Sequence, residues 1–255
     1  MLHKMKLNRR PFEKIKSGSK TIEMRLLDEK RQRINVDDFI EFSLTDDPQR
    51  KIQTRVTALH RFSDFNELYS AFPKEKLGYE PSDTADPYDM EKYYPLKEQE
   101  KYGVVGIELR MTGLQKFIDA QENGYDFGGI YQTALSEIIN GRKMSHWIWY
   151  VFPQIQGLGW SGTTAYFSLR DIQEAADYYE HPVLGARLLE ITQALYDLDC
   201  YDLVSVLGLT DALKLRSCMT LFNRSVPQQA LFKKVLDKYC QGMEDDKTLR
   251  ALNLI

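Results

Sequence analysis

The chain has 255 residues, of which 43% are apolar and 28% charged, and its formal net charge is −3. That length is enough for two compact units, and the composition is unlike the low-hydrophobicity, one-sign make-up of disordered chains. The opening MLHKMKLNRR is basic and interrupted, and the longest apolar stretch, around Trp147 to Pro153, is too short to span a bilayer. The sequence therefore predicts a cytoplasmic protein with no export signal and no membrane partner.

Charge is unevenly distributed. Met1 to Arg61 carries 15 Lys+Arg against 9 Asp+Glu, net +6; Phe62 to Thr112 carries 6 against 11, net −5; and the remainder carries 13 against 17, net −4. A polyanion would be drawn to the first sixty residues. Cys200, Cys218 and Cys240 form no CxxC pair, so they read as buried helical thiols rather than a disulfide framework or zinc site. His146 and His181 lack the spaced partners of a metal centre, and no metal or cofactor is expected.

In chain order, Pro11, Phe12, Ile15 and Gly18 predict a helix of one or two turns, with proline early and glycine supplying the left-handed stop. Strands are predicted over Thr21 to Leu27, Phe39 to Leu44 and Thr54 to Phe62, from short apolar and β-branched runs between polar stretches. Asp64 is a good N-cap for a helix that runs through Leu68 and Phe72 to Pro73. Glu80 to Pro95, rich in Asp, Tyr and Pro, reads as a long loop with a helical turn at Met90 to Tyr94, and Tyr102 to Arg110 as a buried closing strand. Beyond Met111 apolar residues recur at spacings of three and four, for example Leu184, Leu188, Ile191, Leu195 and Leu215, Cys218, Met219, Phe222. The exception is Met144 to Phe167, broken by Pro153, Gly157, Gly159 and Gly162 around an aromatic cluster. The switch of period places a boundary near residue 112, with Met111 to Gly113 as a short linker.

The segment Gly18 to Arg25, GSKTIEMR, resembles the G-x-K-x-x-E-x-R signature of ASCH domains. The leading MKLNRRPFEKIKSG, the following RLLDEKRQRINVDDFIEF and the closing YGVVGIEL extend the resemblance over roughly the first 110 residues. It implies an α+β, PUA-like β-barrel with short helices over its ends, and a cleft beside the signature that receives RNA or a modified nucleoside or nucleotide. The residue types suit that role. Lys20 and Arg25 can neutralise a phosphate or carboxylate, and Glu23 can accept hydrogen bonds from an exocyclic amine, as acidic side chains do with cytosine. The competing reading is ion pairing along a barrel strand.

Some ASCH domains resemble an amidohydrolase that removes acyl groups from N4 of cytidine, using a lysine, a threonine three residues later and a distant glutamate. Lys20 fits that pattern, but Glu23 stands where the nucleophile should be and Thr21 is two positions away. An enzyme of this type would have to work with Lys20, Thr21 and Glu23, and its distant acid would come from Glu67 or a neighbour.

A second motif, Gly141 to Ser161, GRKMSHWIWYVFPQIQGLGWS, gathers Arg142, Lys143, His146 and all three tryptophans. With DAQENGY, EHPVLGARL and DALKLRSCMTLF it resembles a helical family known by the domain-of-unknown-function label 1810, from about Leu114 to Ile255. Members sometimes carry the name calpastatin, a disordered inhibitor whose behaviour this apolar periodicity does not fit. Arg142, Lys143 and His146 beside Trp147 and Trp149, with Arg216 on a later helix, suit an anionic planar ligand. Both tryptophans equally suit a core. The sequence thus predicts two domains: a PUA-like barrel over residues 1–112 and an all-α domain over residues 113–255. The first binds RNA or a modified nucleotide, with hydrolysis of an N4-acylated cytidine and a protein-interaction scaffold as the alternatives.

Overall fold

Five strands, β1 (Leu2–Leu7), β2 (Ile22–Leu26), β3 (Phe39–Leu44), β4 (Lys51–Phe62) and β5 (Val104–Thr112), make one sheet in the order β1-β3-β4-β5-β2. They come from a computed structural model that describes residues 1–159 and 161–255 and divides into two compact units, Met1–Thr112 and Gly113–Ile255. Strand β1 runs parallel to β3, and the other pairs are antiparallel. The sheet is a half-barrel. A register shift between Val56 and Ala58 interrupts the long strand β4, and bulges of this kind bend a sheet and increase its twist.

One face of the sheet carries Met5, Leu7, Ile40, Phe42, Leu44, Val105, Ile107 and Leu109, closed by Phe12 and Ile15 of helix α1 (Arg9–Ser17). The other face, Ile22, Met24, Leu26 and Val104, packs on Phe65 and Leu68 of helix α2 (Phe65–Ala71). Strand alternation makes this division, since successive side chains of β2 leave opposite sides of the sheet. Gly18 at φ +79° ends α1, its N–H bonding to Ile15 O at 3.0 Å. Asp64 caps α2, accepting from Glu67 N at 2.9 Å.

The sequence reading missed β1, whose alternation is disguised by the lysines at its exposed positions, and helix α3 (Leu96–Tyr102). Strand β4 begins at Lys51, earlier than Thr54, and the helical turn in the long loop is a 3-10 segment, Pro87–Lys92. Met111 and Thr112 pair with Thr54 and Gln53, so this stretch belongs to the sheet and is not a linker.

The second unit is helical: α4 (Gln115–Asn123), α5 (Tyr131–Ile139), α6 (Ile148–Val151), α7 (Gly162–Tyr166), α8 (Ile172–Glu180), α9 (Leu184–Asp197), α10 (Leu203–Leu207), α11 (Leu209–Ser225), α12 (Ala230–Cys240) and α13 (Asp246–Ala251). Its described residues contain one pairing of extended backbone, the isolated bridge Ile155–Leu169. The periodic residues Leu188, Ile191, Leu195, Leu215, Cys218, Met219 and Phe222 are all buried. At the centre Gln121 donates to Tyr178 Oη at 2.9 Å and to Tyr150 O at 2.7 Å, satisfying polar groups inside an aromatic core. The broken segment Met144 to Phe167 does hold two short helices, α6 and α7. Of the three cysteines, all free, only Cys218 is buried; Cys200 and Cys240 are partly exposed, and Cys200 lies outside any helix. Among the described residues no helix is long and apolar enough to cross a membrane.

Candidate nucleotide cleft

The left-handed stop at Gly18 turns the chain from α1 into β2, and the signature residues follow at once. Glu23 and Arg25 lie opposite Ile107 and Val105 in the β2–β5 register, so alternation sends them to the α1 side of the sheet while Ile22, Met24 and Leu26 face α2. Lys20 is 5% exposed and Glu23 4%. One Glu23 oxygen takes a hydrogen bond from Arg25 Nε at 2.8 Å and the other lies 3.4 Å from Lys20 Nζ. Lys20 Nζ also donates to Leu77 O at 3.0 Å. Burial pushes the Lys20 ammonium below its usual range, although the Glu23 carboxylate pulls the other way.

Arg25 does more than pair. From Nη1 it donates to Tyr94 Oη at 3.3 Å, and from Nη2 to Lys6 O at 3.0 Å. Lys6 is on β1 and Arg25 on β2, the two strands at opposite edges of the sheet. One guanidinium therefore bridges the open side of the half-barrel, a task its rigid fork of donors suits. Gly78, at φ +97°, packs against the Lys20 stem, where an added Cβ would come within 2.9 Å of Cδ.

These residues lie in the wall of a cleft of about 490 Å³. Five cationic residues, Lys6, Arg10, Lys14, Lys20 and Arg25, line it against one acidic residue, Glu23, with Tyr79, Tyr93 and Tyr94 on the aromatic side. Two rim cations are engaged by the loop after Tyr79: Lys14 pairs with Glu80 and Arg10 with Asp83. Lys74 pins that loop through Pro81 O at 2.7 Å and Asp83 O at 2.8 Å.

The structure brings Lys20, Glu23 and Arg25 together and leaves Thr21 out. Thr21 is absent from the cleft wall; its hydroxyl is buried and makes no hydrogen bond, and its backbone N–H donates to Lys76 O at 3.0 Å. Glu67, proposed as a distant acid, is exposed and serves its own helix end, accepting from Ser63 N at 3.0 Å. Sequence reasoning missed Lys6 and the three tyrosines. The signal for Tyr93 and Tyr94 was the aromatic content of Glu80 to Pro95, with Tyr79 just before it, and nothing in the sequence tied either to the signature.

In the helical unit, three of the six singled-out residues form one cluster. Lys143 Nζ is 2.7 Å from Asp211 and lies over the Trp147 ring at 5.2 Å. Lys214, 2.8 Å from the same Asp211, lies over Trp149 at 4.2 Å. The two lysines hold the Asp211 carboxyl below its usual range against the opposing effect of its burial. Trp147 is fully buried, and its Nε1 donates to Glu137 at 2.7 Å. Glu137 also accepts from Met144 N at 2.8 Å and from Ser145 N and Oγ at 3.1 and 2.7 Å, so one carboxylate organises the turn before α6. Neither Glu137 nor Asp211 was singled out from sequence: Glu137 acts on a turn seven to ten residues further on, and Asp211 joins Lys214 of its own helix to Lys143 far back in the chain. Arg142 and His146 are exposed. Arg216 is engaged elsewhere, donating to Met243 O at 3.1 Å and Glu244 O at 2.5 Å. Trp160, the third tryptophan, lies outside the described residues.

Residues 5–112 match the ASCH domain, and residues 111–252 match the family described as protein of unknown function (DUF1810). A crystal structure of the conserved hypothetical protein Rv1873 from Mycobacterium tuberculosis is 35% identical, covers 56% of this chain and 97% of its own, and superposes with a TM-score of 0.52. A solution structure of protein PF0455 from Pyrococcus furiosus is 30% identical over 44% of this chain and 97% of its own, with a TM-score of 0.34. The hypothetical protein PH0355 is also 30% identical, over 44% of this chain and 99% of its own, with a TM-score of 0.38. No protein of curated function matches. With its helical unit matched almost from end to end and the signature cleft in the unit before it, the chain belongs to the DUF1810 family and carries an N-terminal ASCH domain.

Proposed function

We propose that the ASCH cleft binds a nucleotide, free or as one residue of an RNA, with a base that carries an exocyclic amine. The carrying observation is the buried Glu23 carboxylate fixed by Lys20 and Arg25 in the wall of a cleft lined by five cations and three tyrosines. A carboxylate offers about four acceptor sites, and two protein donors leave room for an amine such as cytosine N4. The tyrosines offer stacking faces, and Lys6 with the other rim cations offers charge for phosphate. Desolvated, pre-paired donors of this kind are fixed before the ligand arrives, which favours selective binding.

Hydrolysis of an acylated cytidine gains less support. The Thr21 hydroxyl is buried outside the cleft wall, and Lys20 is held by Leu77 O and Glu23. Calorimetric titration of the whole chain with cytidine monophosphate tests the binding reading. Saturable binding, at least tenfold weaker for cytidine and for Glu23→Gln, supports it. Binding that ignores both changes, or no binding, overturns it.

A further inference from the structure

A second groove of about 660 Å³ crosses the sheet around β1. Six lysines and arginines line it, Lys4, Lys6, Lys30, Arg31, Arg33 and Lys51, against one carboxylate, Glu41. The register explains the grouping. Lys6 is opposite Ser43, and Ser43 is opposite Lys51, which sets three residues side by side across β1, β3 and β4. Lys4 lies opposite Glu41 and projects, like Lys6, to the side away from the buried Met5 and Leu7. The second wall is the short 3-10 turn Arg31–Arg33 and Lys30 before it. Glu41 is shared between Lys4 at 3.9 Å and Lys51 at 3.6 Å, and Arg31 pairs with Asp28 at 2.7 Å. Six cations thus meet two carboxylates.

Lysines on an edge strand also discourage sheets from pairing edge to edge. That accounts for Lys4 and Lys6; it does not account for Lys30 and Arg33, which are exposed on a turn, or for Lys51 on an interior strand. A second relationship is independent of charge. Lys6 lines both this groove and the nucleotide cleft, and its carbonyl accepts the Arg25 hydrogen bond that closes the half-barrel. The two depressions therefore meet at one exposed lysine.

We infer that the groove is a track for the phosphodiester backbone of single-stranded RNA, running past Lys6 so that one nucleotide of the strand enters the cleft. This rests on the nucleotide-binding reading of the cleft and extends it from a single nucleotide to a strand. Phosphate contacts of this kind position a strand without reading its sequence, while the cleft reads one base. The strand lies along lysines with long, adaptable stems, and its binding releases counterions.

The test uses the whole chain, fluorescence anisotropy with a single-stranded RNA of roughly a dozen nucleotides, and calorimetry with cytidine monophosphate. The RNA is expected to bind at least tenfold more tightly than the mononucleotide. Lys30→Glu with Arg33→Glu should remove that advantage while leaving mononucleotide affinity within twofold, which also shows that the variant is folded. Neutral Lys30→Gln with Arg33→Gln should lower the salt slope by about 1.4, at roughly 0.7 for each single-strand phosphate left without its cation. Tight mononucleotide binding with no gain for the RNA, or a gain unchanged in both variants, overturns the track and leaves the cleft reading standing. RNA binding that depends on Lys30 and Arg33 without any mononucleotide binding supports a basic groove but overturns its connection to the cleft, and with it the cleft reading.

Discussion

Arg25 Nη2 and the carbonyl of Lys6, 3.0 Å apart, join the two outermost strands of the five-stranded sheet across its open side. The same guanidinium holds Glu23 and reaches Tyr94. The signature and the closure of the half-barrel are therefore one structure. Arg25→Ala should lower stability by about 2–3 kcal/mol, since it leaves the buried Glu23 with Lys20 alone and removes hydrogen bonds to a charged group. Arg25→Lys should recover less than half of that, because an ammonium cannot bridge the same three acceptors in a plane. Urea unfolding of the three proteins measures both differences; equal stability of all three would show that the bridge contributes nothing.

Lys20 predicts a stability profile at alkaline pH. Its folded-state pKa lies below the ordinary 10.5 because burial disfavours the ammonium. Between the folded and unfolded values the unfolded chain binds more protons, so this group makes stability rise with pH in the window just below 10.5. Lys20→Met should lack that rise. Unfolding midpoints of wild type and variant, measured through this range, should keep a constant separation if Lys20 is solvated and unshifted.

The loop carrying Glu80 and Asp83 competes with any anion for Lys14 and Arg10. Glu80→Gln with Asp83→Asn should tighten cytidine monophosphate binding severalfold at low salt and steepen its salt dependence, because two rim cations are released. Weaker binding in the double variant would mean that the ion pairs shape the cleft rather than mask it.

His181 is 1% exposed, and its Nδ1 accepts from Val183 N and Leu184 N, both at 3.2 Å, at the start of α9. An accepting Nδ1 requires the neutral ring, and burial lowers the folded pKa from 6.5 to about 4. The unfolded chain takes up the proton first on acidification, so stability present above pH 6.5 is lost as pH falls towards 4, by about 3 kcal/mol in all. His181→Asn keeps a short acceptor at the helix start and should flatten that part of the profile. A variant with the wild-type acid profile would assign the effect to other groups.

How far the sequence foretold the site follows from the range of the interactions. The signature is local: the Gly18 stop and the alternation of β2 fix where Lys20, Glu23 and Arg25 point, and their spacing carried that information. Lys6, Leu77 and Tyr94 complete the same site from positions far along the chain, and no spacing rule connects them to Arg25. Strand β1 escaped notice because its lysines lower the apolar signal that marks a strand, although they alternate with buried Met5 and Leu7. In the helical unit the apolar periodicity was sufficient for the core. The cation and indole cluster was visible as composition, but no spacing rule marked Glu137 as the acceptor of the turn that follows its helix, and the Asp211 link to Lys143 emerges only when the helices pack.

The central claim, that the ASCH cleft holds a nucleotide, is tested most directly by titrating the isotope-labelled whole chain with cytidine monophosphate and following its backbone amide resonances. Saturable shifts at Lys20, Glu23, Arg25, Leu77 and Tyr94, lost in Glu23→Gln, are the predicted result. Saturable shifts confined to the helical unit, or no shifts at millimolar nucleotide, would contradict it.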